Sequence, residues 1–263
     1  MFGNLTPTVK NLLLINFVVY LMGSFVSIDF VDIFGLRFIL AESFAPYQFF
    51  SYMFVHGSFF HIFGNMFALL IFGPMLERFW GPQKFLIFYM ATGLGAGVLY
   101  GVADYFEKSP AKTAMMTYQS FPSPENFNFY VNEHAEFAYK QLYDFTNEYY
   151  DNPDSEVLEQ QSKAYVKQLY QTVANIPMVG ASGAVYGILM AFGMLFPNTV
   201  LFLLFPPIPI KAKYLVIAYG AFEIYSELNR SPGDNVAHLA HLSGMLIAFI
   251  LIKMWQGNRN TFY

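Results

Sequence analysis

The 263-residue chain contains no cysteine and few charges. Without cysteine there are no disulfides, thiolate metal sites or cysteine nucleophiles, so any covalent catalysis falls to another side chain. Charged residues make up 12% of the chain, against roughly 25% in an average soluble domain. That is too little polar surface to coat a water-soluble globule. The formal net charge of −4 is modest and no Lys/Arg-rich run occurs, so the electrostatic footprint of a nucleic-acid partner is missing. No small-residue cleavage site follows the first apolar run, which reads as a retained signal anchor. What is plentiful is apolar and aromatic: 56% hydrophobic residues, with 31 Phe and 19 Tyr. The chain therefore reads as an all-α membrane protein.

The few charges are unevenly placed. Residues 105–175 hold 10 of the 18 acidic and 5 of the 14 basic side chains, together with 9 of the 19 Tyr. The remaining 192 residues carry 17 charges. This contrast divides the chain into a membrane body, residues 1–104 and 176–263, interrupted by a water-exposed insert at 105–175.

Runs near the ~20 residues needed to cross a bilayer occur six times. They are about Asn11 to Ile28, Gly57 to Leu76, Phe85 to Gly101, Ala181 to Phe196, Tyr214 to Leu228 and Val236 to Met254. Lys10, Arg78, Lys84, Lys211, Lys213, Lys253 and Arg259 fall on one side of these spans, and the short loops of the other side hold only Arg37 and Arg230. Basic loops face the cytoplasm, so both termini are expected there and the insert outside. The fourth run lies between Gly180 and Pro197, so it forms a short helix recessed from the outer surface. The non-helical approach to it, from Asn175 to Gly180, is tolerated at membrane depth only as the wall of a cavity or buried in protein.

Polar groups at membrane depth are functional candidates. His61 and Asn65 share a helix face near the outer end of the second run, and His238 and His241 begin the sixth. Ser182 opens the fourth, in Gly180-Ala181-Ser182-Gly183. A serine at a helix N-terminus beside a glycine turn has free backbone N–H groups to hold an oxyanion, and an imidazole in reach is its general base. Small residues at Gly183, Gly187 and Ala191, and at Gly244 and Ala248, allow close approach of the fourth and sixth helices. Asn65 can donate through its amide. No carboxylate is expected at this depth: Glu77 is at the wrong end of its helix, and Glu223 and Glu227 lie toward the end of the fifth run. The expected constellation is a Ser/His dyad with no metal and no cofactor. Taken singly, the same residues read as ordinary helix packing, with His56 and His238 as interfacial hydrogen-bonding groups.

Together the motifs resemble the rhomboid family of intramembrane serine proteases. His56-Gly-Ser-Phe-Phe-His61-Ile-Phe-Gly-Asn65 matches H-x4-H-x3-N, and Glu77-Arg78-Phe79-Trp80-Gly81 matches E-R-x-x-G. Gly180-Ala181-Ser182-Gly183 with Tyr186 matches G-x-S-G-x-x-Y, and Ala240-His241-Leu242-Ser243-Gly244 matches A-H-x-x-G. The resemblance selects His241 over His238 as base and implies a six-helix rhomboid bundle. It makes Ser182 the nucleophile, and His61 and Asn65 with the Ser182 N–H the oxyanion hole. Tyr186 would stack on His241, and His56 would order the outer loop. It further implies substrates that are transmembrane segments of other proteins, entering laterally through membrane lipid past the fifth helix. The setting that fits is a bacterial cytoplasmic membrane.

The sequence departs from the family in three places. Tyr47-Gln48 stands where many members have Trp-Arg, which leaves the anchoring of the first outer loop open. Gly244-x-x-x-Ala248 replaces G-x-x-x-G. The insert is the third, and its apolar stripes predict two amphipathic helices joined by a turn at Asn152-Pro153-Asp154, either a hairpin packed on its own apolar face or a substrate-selecting lid. Competing functions are an inactive rhomboid-like scaffold that binds transmembrane helices, and a small transporter. The scaffold class lacks the nucleophile or base, and both are present here. The transporter would need charges along its path, and the spans offer almost none.

Overall fold

The computed structural model describes residues 5–202, 207–230, 234 and 236–257. Arg259 of the orientation pattern, and Ser231 to Gly233 and Asn235 of the last outer loop, lie outside the described residues. The fold is mostly helical. Its α-helices are α1 Pro7–Phe25, α2 Phe30–Phe34, α3 Gln48–Ser51, α4 Phe59–Trp80, α5 Pro82–Ser120, α6 Pro124–His134, α7 Tyr139–Asp151, α8 Glu156–Ala174, α9 Ser182–Leu195, α10 Ala212–Leu228 and α11 His238–Gly257. A small antiparallel pair, Val200–Phe202 with Pro209–Lys211, precedes α10, and Leu201 faces Ile210 in its register.

Among the described residues, four helices are long and apolar enough to cross a membrane: Pro7–Phe25, Phe59–Trp80, Pro82–Ser120 and His238–Gln256. Helices α9 and α10 are shorter, with 14 and 17 residues. At ~1.5 Å per residue, α9 reaches only ~21 Å.

Two compact units emerge. The first comprises Met1–Leu36, Pro46–Tyr100 and Met178–Tyr263; the second comprises Arg37–Ala45 and Gly101–Pro177. In the first, α9 packs most extensively on α11, then on α4 and α10. Small residues make this possible: a Cβ on Gly244 would overlap the Gly183 carbonyl, and one on Gly187 would lie 2.8 Å from the Thr92 side chain. Helix α1 joins the same unit through a carboxylate cap. The two oxygens of Glu77 accept the backbone N–H groups of Thr8 and Val9, each at 2.9 Å. These are donors that a helix N-terminus otherwise leaves unpaired.

The second unit is more elaborate than the two-helix hairpin read from sequence. Helices α7 and α8 form around the expected turn, but α5 runs on past Gly101 to Ser120, and α6 is added. Nothing between Gly101 and Pro110 stops α5, and Asp104 and Lys108 pair at 2.8 Å across one of its turns. Helix α6 starts at the Ser123-Pro124 cap, where Ser123 Oγ accepts the Asn126 N–H at 3.1 Å. Phe127, Tyr130, Tyr149, Val166 and Tyr118 form the unit's core, and the Tyr118 hydroxyl donates to Ser162 Oγ at 2.5 Å. Segment Arg37–Ala45 belongs to this unit too: the Arg37 guanidinium donates to the Asn175 carbonyl, and Lys112 Nζ donates to that of Leu40 at 3.0 Å.

Candidate active site

The chain reaches Ser182 through a segment fixed by backbone hydrogen bonds. Leu36 and Met178 exchange two N–H···O bonds of 2.8 Å, and Gly180 N–H donates to the Tyr52 carbonyl at 2.9 Å. Gly180 then takes φ of +117°, and a Cβ at that position would overlap the His61 imidazole. Both facts demand glycine there. His56 Nε2 lies 3.5 Å from the Ala181 N–H and accepts from it, and the His56 and His61 rings meet edge to face at 5.0 Å. His56 thus steadies the turn immediately before Ser182. Tyr47 and Gln48 both donate to the Ile33 carbonyl, at 3.0 and 3.3 Å, so the substituted pair anchors the outer loop by polar contacts of its own.

Ser182 occupies the first turn of α9, half-buried, and Ala181 before it makes no side-chain cap. Backbone N–H groups at that end are therefore left for an oxyanion. One turn on, Tyr186 lies flat against His241, with centroids 4.2 Å apart and 7° between the ring planes. Three residues after His241, Gly244 touches the Gly183 backbone. Contacts on both sides of Ser182's neighbours therefore hold His241 beside the start of α9. From α4, Asn65 Nδ2 lies 3.6 Å from where a Gly180 Cβ would stand, beside the same turn.

Six buried side-chain polar atoms lack a hydrogen-bond partner among the described residues, and three of them are His56 Nδ1, Asn65 Nδ2 and His241 Nδ1. Each such group costs about 1–3 kcal/mol. His56 and Asn65 lie beside the Gly180–Ala181 turn and His241 lies against Tyr186, so these three residues gather around the start of α9.

The expectation that no carboxylate reaches the histidines is corrected. Glu223 of α10 is 1% exposed, and its Oε2 lies 2.5 Å from His238 Nδ1 and 3.0 Å from His241 Nδ1. Its other oxygen accepts the Tyr186 hydroxyl. Helix α10 begins on the Lys211 side, so proximity to its far end is what brings Glu223 level with the start of α9. The His241 contact has ion-pair distance without hydrogen-bond alignment. Such looseness is common in sites without substrate. His238 Nε2 is also 3.1 Å from Asp234 Oδ2, outside the bundle.

Glu223, His238 and His241 offer metal-ligand atoms within 4.8 Å of one another. Two ligands on one tetrahedral zinc stand about 3.3 Å apart, given bonds of ~2.0–2.1 Å. The Glu223–His238 contact, at 2.5 Å, is shorter than that and is a hydrogen-bond distance. A cavity of about 270 Å³ has His56, Tyr20, Phe30 and Val55 among its lining. Ser182 and His241 are not part of that lining.

Comparison with known proteins agrees with the motifs. The family model described as Rhomboid domain matches residues 43–138 and 158–256. A curated relative, RHOMBOID-like protein 12, mitochondrial, from Arabidopsis thaliana, is 26% identical over 192 residues, covering 72% of this chain. The aligned region is 40% of that relative, so the chain spans about two fifths of its length.

Proposed function

Because the chain belongs to the rhomboid family, matched over residues 43–138 and 158–256, we propose that this integral membrane protein is a serine endopeptidase that cleaves transmembrane segments of other proteins. Helices α1, α4, α5, α9, α10 and α11 are its six membrane helices, with α9 recessed. Residues 105–175 form an extramembrane insert between residues 1–104 and 176–263 of the core. The Lys/Arg bias puts both termini in the cytoplasm, as in a bacterial cytoplasmic membrane. The mitochondrial destination in the plant relative's name belongs to that protein.

In this reading His241 Nε2 takes the proton of Ser182 Oγ as the oxygen attacks the scissile carbonyl. The carbonyl electron pair moves onto its oxygen, which the Ser182 N–H, the Asn65 amide and His61 hold. Collapse of this intermediate expels the amine, which receives the proton from His241, and leaves an acyl-serine. Water then attacks the acyl group, delivering its proton to His241, which returns it to Ser182 Oγ as the acyl bond breaks and the acid product leaves. Tyr186 keeps the imidazole in plane, while His56, Gly180, Gly183 and Gly244 fix the backbone around it. The reaction needs no cofactor or metal.

The observation that supports this reading is the Tyr186–His241 stack, one turn after Ser182, combined with the Gly183–Gly244 backbone contact. Labelling purified protein with a fluorophosphonate tests it, with Ser182→Ala and His241→Ala beside the parent. The parent should label and should cut a reconstituted single-span reporter, and both variants should do neither. An unlabelled parent, or equal labelling of Ser182→Ala, defeats the reading and leaves a helix-binding scaffold.

A further inference from the structure

We propose that Glu223 is a positioning residue for His241, accepting its Nδ1–H and so presenting Nε2 to Ser182, which extends the dyad into a Glu–His–Ser relay. This rests on the proteolytic reading above. A neutral imidazole has one N–H, and the ring that keeps it on Nδ1 leaves Nε2 able to accept the serine proton. Among the described residues, the carboxylate oxygen beside His241 Nδ1 is Glu223 Oε2, at 3.0 Å. As the imidazolium forms, that carboxylate also balances its charge at short range.

Three surrounding contacts hold Glu223 in the acceptor state. The Tyr186 hydroxyl donates to Oε1 while the Tyr186 ring stacks on His241, so one side chain aligns both partners of the relay. His238 Nδ1 meets Oε2 at 2.5 Å, and His238 Nε2 meets Asp234 Oδ2 at 3.1 Å. Each His238 ring nitrogen thus faces a carboxylate oxygen, one of Glu223 and one of Asp234. A buried carboxylate without partners is costly, and this one has two hydrogen-bond partners, Tyr186 and His238, with His241 at ion-pair distance. From α4, His61 completes the set of titratable groups around His241.

A helix-packing role alone would be served as well by an amide, and this separates the two accounts. The full-length protein is compared as parent, Ser182→Ala, Glu223→Gln and Glu223→Asp. Readouts are kcat and KM on the reporter, and nitrogen NMR of isotope-labelled histidine. Glu223→Gln should lower kcat by at least about tenfold, with an upper bound near the ~10⁴-fold loss when a triad carboxylate becomes an amide. KM should change by less than about twofold, since ground-state binding is untouched. Glu223→Asp should recover most of the lost kcat. His241 should be the Nδ1–H tautomer in the parent and shift toward Nε2–H in Glu223→Gln. Parent-like kcat and an unchanged tautomer in Glu223→Gln overturn the proposal. So does an equal loss in both Glu223 variants accompanied by a lower melting temperature, which marks a structural role. A parent that neither labels nor cuts defeats the proteolytic reading instead, and the tautomer comparison then decides the Glu223–His241 link by itself.

Discussion

At position 65 the fold buries an amide whose Nδ2 has no partner, at 7% exposure. Replacing it with an apolar residue of similar volume should therefore separate stability from activity. Asn65→Leu removes a stranded donor, so thermal stability in detergent should hold or rise by about 1–3 kcal/mol. Loss of an oxyanion donor should lower kcat by about 10²-fold or more. A parallel fall in both would show that Asn65 serves packing. Ser182, His241, His61 and Asn65 were legible in the sequence because their spacings tie each to a helix face. Glu223 was not, because distance along an apolar run does not say which side of the bundle the end of that run faces. The direction of α10 answers this, and the Lys211-Lys213 pair already encodes it.

Among the elements, α9 and α11 show how the site's spacing is set. Gly244 lies so close to the Gly183 carbonyl that no side chain fits between them. Gly244→Val would drive the helices apart, with an overpacking cost of about 1–3 kcal/mol. It should abolish cleavage and lower the melting temperature, whereas Gly64→Ala, with nothing within 4 Å of its new Cβ, should leave both unchanged. Helix existence was readable wherever an apolar run was long. It was less so in the insert, where α6 buries only Pro124, Phe127, Tyr130 and Val131. There the Ser123-Pro124 cap, rather than any stripe, marks the start. The extension of α5 to Ser120 was hidden for a related reason: composition changes at residue 101 while the backbone has no cause to stop.

For the whole molecule, the absence of cysteine becomes an experimental tool. Single cysteines at Glu148, exposed on α7, and at Lys211, exposed before α10, report sidedness without background labelling. An impermeant maleimide should label Glu148→Cys on intact bacterial cells, and Lys211→Cys only after permeabilisation. The reverse pattern would invert the proposed orientation. At this scale the change in charge density at 105–175 falls within the longer segment of the second unit, Gly101–Pro177. The inclusion of Arg37–Ala45 in the second unit was not legible in the sequence, since it depends on contacts between segments more than sixty residues apart.

Helix α10 buries only Ala212, Val216 and Glu223 of its 17 residues. Beside its apolar packing on α9 and α11, the polar contacts of Glu223 with Tyr186, His238 and His241 latch it to the bundle. The same carboxylate would then fasten a door and arm the base behind it. If α10 lifted to admit a substrate, it would break both functions at once, and reseating would restore both. Proton transfer from Ser182 would accordingly be coupled to closure, which limits idle hydrolysis while the door stands open.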